Sequence, residues 1–145
     1  MKRILTVQDI SCVGKCSLTV ALPIISAMGV EAAILPTAVL STHTMFSGFT
    51  FCDLTNEIKP ITTHWKKQGF KFDAIGTGYL GSFEQIDSVA SIFEEFGEGV
   101  LKIVDPVMGD HGKTYRFFTN ELIDKIKNLV SKADVITPNL TEAYI

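Results

Sequence analysis

The chain has 145 residues, the length of one small domain. It is 46% hydrophobic and 20% charged, a balance that allows a packed core and excludes a disordered chain. The net charge is −3 and the Lys and Arg residues are scattered, so no basic stripe points to nucleic acid; no apolar stretch reaches the ~18 residues that would span a bilayer.

The basic start, Met1-Lys2-Arg3, leads into an apolar run too short for a signal peptide and interrupted by Asp9. Arg3–Val7 is predicted as the first strand. Helical spacing follows over Ser17–Met28 and ends at Gly29, with Pro23 expected to kink it or to start a fresh turn. Ala32–Leu35 reads as a strand closed by Pro36. Leu54, Ile58, Ile61 and Trp65 share one helical face ahead of Gly69, although Pro60 argues against an unbroken helix.

Ala74–Thr77 reads as a short strand running into Gly78-Tyr79-Leu80-Gly81-Ser82. Ser82 and Gln85 have capping-box spacing, and Phe83, Ile86, Val89, Phe93 and Phe96 continue as an apolar stripe up to Gly97 and Gly99. Val100–Val104 is almost continuously apolar, as in a strand buried on both faces of a parallel sheet. Leu122, Ile126, Leu129 and Val130 mark another helix, and Val135–Thr137 a last strand. This alternation predicts an α/β fold, a doubly wound and mostly parallel sheet with helices on both faces. Asn139 with Glu142 is a helix start followed by only three residues, which leads us to expect a chain cut from a longer one.

The three cysteines, Cys12, Cys16 and Cys52, are odd in number and lack CxxC spacing. They suggest reduced thiols in a cytoplasmic protein, not a disulfide framework or a zinc knuckle.

Ligands of open α/β sheets bind beyond the carboxyl ends of the strands. Five strand ends here carry polar or glycine-rich residues: Gln8–Lys15, Thr37 through Thr44, Gly76–Ser82, Asp105–Asp110 and Thr137–Glu142. Turn geometry and capping explain any one of them; their sharing of one sheet edge suggests a site. Gly76-Thr77-Gly78-Tyr79-Leu80-Gly81 has its third glycine one place early for a dinucleotide fingerprint, and no phosphate loop of the GxxxxGK[ST] type occurs. Tyr79 suits either the core or a flat ring stacked on it. Asp105, Asp110 and Glu142 would suit Mg²⁺ if they converge. The competing account makes Asp105 a turn former and Glu142 only a capping residue. Lys15 and His43 have equally ordinary readings as a solvated lysine and a structural histidine.

Taken together, Gly78–Ser82, Asp105–Asp110, Thr137–Glu142 and His43-Thr44, in this order and at these separations, resemble the vitamin B6 (pyridoxal/pyridoxamine) kinases of the ribokinase superfamily. The resemblance covers essentially the whole chain and implies residues 1–145 as the N-terminal part of one ribokinase-like kinase domain. It implies ATP-dependent phosphorylation of the 5′-hydroxymethyl group of a B6 vitamer. By that resemblance Asp9, Thr44 and Tyr79 contact the substrate. Asp105, Tyr115, Thr137 and Glu142 serve ATP, and Asp105, Asp110 and Glu142 serve Mg²⁺, with room for a monovalent cation. Tyr115 would lie in a loop covering the site.

The resemblance also implies a cytoplasmic homodimer whose partners are the vitamer and ATP, with no nucleic acid or membrane. Many of these kinases have Ser at the position of Asp9, where hydroxymethylpyrimidine kinases also carry Asp. A hydroxymethylpyrimidine kinase is therefore the alternative enzyme, and a non-catalytic ligand-binding domain is the alternative of another class. The family's glycine-rich anion hole and catalytic Asp belong to a C-terminal half outside these residues, so no catalytic base is assigned within the chain.

Overall fold

A computed structural model describes all of residues 1–145. In chain order the elements are β1 (Arg3–Ser11), α1 (Leu18–Ala27), β2 (Glu31–Leu40), β3 (Phe51–Asp53), α2 (Thr55–Gln68), β4 (Ala74–Thr77) and α3 (Phe83–Phe96). They continue with β5 (Leu101–Val104), β6 (Gly109–Asp110), β7 (Lys113–Thr114), α4 (Asn120–Val130), β8 (Val135–Ile136) and α5 (Leu140–Tyr144).

The main sheet has the order β3-β2-β1-β4-β5-β8. Every pairing in it is parallel except β2 with β3. Right-handed crossovers then put α1 on one face and α2, α3 and α4 on the other. The chief core lies under that second layer, where Leu5, Val7 and Leu35 of the sheet join Ile58, Ile86, Val89, Phe93, Ile123 and Ile126 of the helices. Burying one such side chain contributes roughly 1.5–3 kcal/mol. At the amino-terminal ends of the strands Trp65 meets Phe72 edge-on at 5.8 Å, and Phe72 meets Phe96 at 5.4 Å.

Two expectations need correction. Pro36 does not close the second strand, which runs on to Leu40. A register shift falls between Gln8 and Ile10 of β1, opposite the Pro36–Val39 step of β2. The extra β2 residue at this irregularity accommodates a residue that has no N–H to give the ladder. Pro60 leaves α2 unbroken: it lies in the second turn of the helix, where it costs one bond of the ladder without ending it. Gly69, at φ 72°, ends α2 in the left-handed conformation.

Two short features gave no periodic signal. β3 is three residues long and pairs antiparallel along β2. β6 and β7 form a separate two-stranded hairpin between β5 and α4.

Candidate active site

The carboxyl ends of β1, β2, β4, β5 and β8 deliver their loops to one edge, as parallel strands must. Asp9 lies near the end of β1 and is buried. Its Oδ2 accepts a long hydrogen bond from Ser11 Oγ at 3.4 Å, and its Oδ1 has no partner at all. An unpaired buried carboxylate oxygen is costly, and the cost is recovered when a donor arrives.

Tyr79 stands close enough that the Asp9 charge adds to burial in raising its hydroxyl pKa. The tyrosine ring lies over Gly81: a Cβ built there would sit 3.0 Å from the ring's Cε1 and 3.1 Å from its Oη. Only a residue without a side chain leaves that space.

The loop after β1 packs against the loop after β2. His43 donates its N–H to the Val13 carbonyl at 2.8 Å, and a Cβ on Gly14 (φ +116°) would approach His43 Cβ to 2.6 Å. His43 Nδ1 accepts the Met45 N–H at 3.1 Å, so this histidine is a turn former. Thr44, beside it, is exposed. Lys15 is exposed, with φ 47°.

On the other side of the edge, the loop after β5 is stitched to the start of α5. Asn139 Oδ1 accepts the Glu142 N–H and Glu142 Oε2 accepts the Asn139 N–H, each at 2.9 Å, which completes a capping box. Glu142 Oε1 reaches across to accept the Met108 N–H at 3.1 Å. Asn139 Nδ2 donates to the Gly109 carbonyl at 2.9 Å, and the Gly112 N–H donates to Thr141 Oγ1 at 2.8 Å. The capping and site readings of Glu142 are therefore compatible: one carboxylate does both.

Asp105, at the end of β5, is half-buried beside Glu142. Burial first, and then the Glu142 charge, push its pKa up to about 6, against an opposing hydrogen bond with the Thr137 side chain. Asp110 does not join this pair. It lies on the exposed hairpin, where its Oδ1 accepts the His111 N–H at 2.7 Å. No group of three His, Cys, Asp or Glu side chains is arranged to hold a metal ion. The expected convergence of three carboxylates is thus reduced to a pair, with the third displaced because Gly109 and Asp110 turn into β6.

Tyr115 is partly exposed, its hydroxyl raised in pKa by burial first and then by Asp110, Glu142 and Asp105. Its ring and that of Tyr79 both meet Phe118 edge-on, each at 5.9 Å between centroids. Phe118 was missed by the sequence reading. It directly precedes the N-cap Thr119 and shares the buried cluster with Ile123, four residues past that cap. Such an apolar pair around a cap is a readable signature.

This arrangement, a parallel sheet whose carboxyl edge carries an aromatic wall at one end and an acidic pair at the other, is that of the ribokinase-like fold. A family profile described as phosphomethylpyrimidine kinase matches residues 21–145. The chain belongs to the phosphomethylpyrimidine kinase family.

It is 30% identical over 148 residues to the pyridoxal kinase PdxY of Histophilus somni (strain 2336), covering 98% of this chain and 52% of that protein. A crystal structure from Bacteroides thetaiotaomicron VPI-5482, provisionally named a phosphomethylpyrimidine kinase and obtained with pyridoxal, superposes with a TM-score of 0.93 at 49% identity. That match covers 99% of this chain and 50% of the other. The pyridoxal kinase of Lactobacillus plantarum gives a TM-score of 0.92 at 36% identity, over 99% and 51% of the two chains. The chain spans about half the length of the relatives it matches.

Proposed function

We propose that these residues form the vitamer-facing and nucleotide-facing strand ends of a B6 kinase, which transfers the γ-phosphoryl group of ATP to the 5′-hydroxymethyl group of pyridoxal, pyridoxamine or pyridoxine. The observation that carries this reading is the unpartnered, buried Oδ1 of Asp9 beside the Tyr79 ring. A carboxylate oxygen waiting for a donor next to an aromatic face suits a flat ring bearing a hydroxyl or a protonated nitrogen. The pyridoxal in the Bacteroides structure supports this assignment. So does a Leishmania donovani pyridoxal kinase structure with ADP and pyridoxamine, 25% identical to this chain.

In this reading Asp9 accepts from the polar edge of the ring, Tyr79 flanks its face, and exposed Thr44 reaches the ring from the loop after β2. The acidic pair fits a divalent cation: neither Asp105 nor Glu142 has a cationic side chain as a hydrogen-bond or ion-pair partner. Mg²⁺ favours one or two carboxylates completed by water and phosphate oxygens. Asp105 and Glu142 would hold it, and it would offset charge on the transferring phosphoryl group. A monovalent cation is a further candidate for the same acidic end. Thr137 orients Asp105, and Tyr115 covers the phosphate side and limits water there.

No group in the chain is assigned as catalytic base; the aspartate of that role belongs to the other half of the family's domain. Homodimerisation and a cytoplasmic location complete the proposal. No helix is long and apolar enough to cross a membrane.

A second reading, hydroxymethylpyrimidine phosphorylation, is favoured by Asp9 itself and by the description of the matching family. Calorimetric titration with pyridoxine and with hydroxymethylpyrimidine separates the two. Tighter binding of pyridoxine is expected, and a clear preference for the pyrimidine overturns the B6 assignment.

A further inference from the structure

Gln85 lies in the first turn of α3, is 5% exposed, and belongs to none of the groups assigned above. Its capping role is half of the expected one. The Ser82 hydroxyl accepts the Gln85 N–H at 3.2 Å, but the Gln85 side chain reaches past Ser82. Its Oε1 accepts the Gly81 N–H at 2.9 Å. Its Nε2 donates to Thr55 Oγ1 at 3.0 Å and to the Thr37 carbonyl at 3.3 Å.

These partners fix the amide in one orientation. Reversed, it would set NH₂ against the Gly81 N–H and oxygen against the Thr37 carbonyl. The direction continues outward, because Thr55 Oγ1 donates to Asp53 Oδ1 at 2.6 Å. The Thr37 carbonyl also accepts the Leu54 N–H at 3.0 Å. One buried side chain thus ties together the Tyr79 loop, the irregular stretch of β2 and the junction of β3 with α2.

We propose that Gln85 is a positioning residue for ring binding, holding the Gly81 backbone and, through it, the Tyr79 ring. This rests on the B6 kinase reading. The Tyr79 ring lies directly over Gly81, so a shift of Gly81 shifts the seat of the ring. Phe118 limits the ring from another side, at 5.9 Å between centroids. Position and tilt of the aromatic wall are then set by the Gly81 anchor and by Phe118, neither of which touches the Asp9 carboxylate in the hydrogen-bond network.

The test is a titration of the 145-residue chain with pyridoxine, which lacks an aldehyde that would label lysines, followed by the ligand's own fluorescence. Gln85→Met keeps the volume and removes the amide. Thr55→Val, at a half-buried position, removes one link and serves alone if Gln85→Met does not fold. The dissociation constant is expected to rise on the order of tenfold in Gln85→Met and about threefold in Thr55→Val. Gly81 amide exchange, read by NMR, should accelerate in Gln85→Met.

A purely structural Gln85 would lower the melting temperature and leave the pyridoxine affinity of the folded protein alone. If the parent binds pyridoxine and the folded variants bind it equally well, the positioning role is overturned and the B6 reading stands. If the parent binds no pyridoxine, the B6 reading falls and takes the positioning role with it.

Discussion

Met108 donates its backbone N–H to Glu142 Oε1 at 3.1 Å, joining the loop after β5 to the first turn of α5. The other oxygen of the same carboxylate closes the capping box on Asn139. Replacing Glu142 with Ala leaves the Met108 N–H buried and unpaired and removes half of the box. The expected loss of stability is about 1–3 kcal/mol, measured by chemical denaturation. The same change removes the neighbouring charge that raises Asp105, so the Asp105 pKa should fall, as read by NMR titration. An unmoved Asp105 would mean that burial alone sets its value.

The raised pKa of Asp105, about 6 against an ordinary 3.8, makes stability depend on pH with a definite sign. Between those values the folded chain binds the proton that the unfolded chain has released, so stability falls as pH rises from about 4 to about 6. Above that window the cost of the ionised group is fully present. Asp105→Asn should therefore melt higher than the parent at pH 8 in the presence of EDTA, with a smaller difference at pH 4. Millimolar Mg²⁺ should raise the melting temperature of the parent more than that of the variant. Equal responses to Mg²⁺ would remove Asp105 from the cation site.

Asp9→Asn should weaken pyridoxine binding more than ADP binding. A charged hydrogen bond contributes about 1.5–3 kcal/mol, which corresponds to roughly 10-fold to 150-fold in affinity. The unpartnered Oδ1 is the atom concerned. Calorimetry with each ligand separately reads the difference, and a parallel loss for both ligands would point to a general folding defect.

Residues 1–145 by themselves should form no pyridoxal 5′-phosphate from pyridoxal, ATP and Mg²⁺. The strand ends supply an aromatic wall, an acidic pair and a tyrosine cover. They are assigned no base within the ~2.6–3.2 Å that proton removal from the hydroxyl needs. Nor are they assigned the oriented donors of an anion hole, one of which can contribute about 10²–10³ in rate. Measurable product from the purified chain, free of host kinase, would place the missing groups within it.

Much of this architecture was legible from periodicity. The stripe from Phe83 to Phe96 corresponds to α3, whose buried side includes Ile86, Val89, Ile92 and Phe93. The apolar run ending at Val104 is a parallel strand, though its first paired residue, Leu101, is exposed. Short features were not legible, because a three-residue strand such as Phe51–Asp53 has no period to read. Pro36 misled for a physical reason: it removes one donor from the ladder, and the register shift beside it absorbs that loss. At the site, the Asp105–Glu142 pairing followed from neighbouring parallel strands. The local contacts of Phe118 and Gln85 around their helix caps were readable, but not their roles at the site, since Tyr79 meets Phe118, and Thr37 and Thr55 meet Gln85, only once the chain is folded.

The single tryptophan has a consequence for experiment. Trp65 is packed on Phe72 at the amino-terminal ends of the strands, across the sheet from Asp9, Tyr79 and Asp105. Its emission is a gauge of whether α2 is docked on the core, and it is nearly blind to what occupies the opposite edge. A ligand that does not absorb in the tryptophan emission band would leave that emission little changed, whereas signals from Tyr79 and Tyr115, whose rings both meet Phe118, would register its binding.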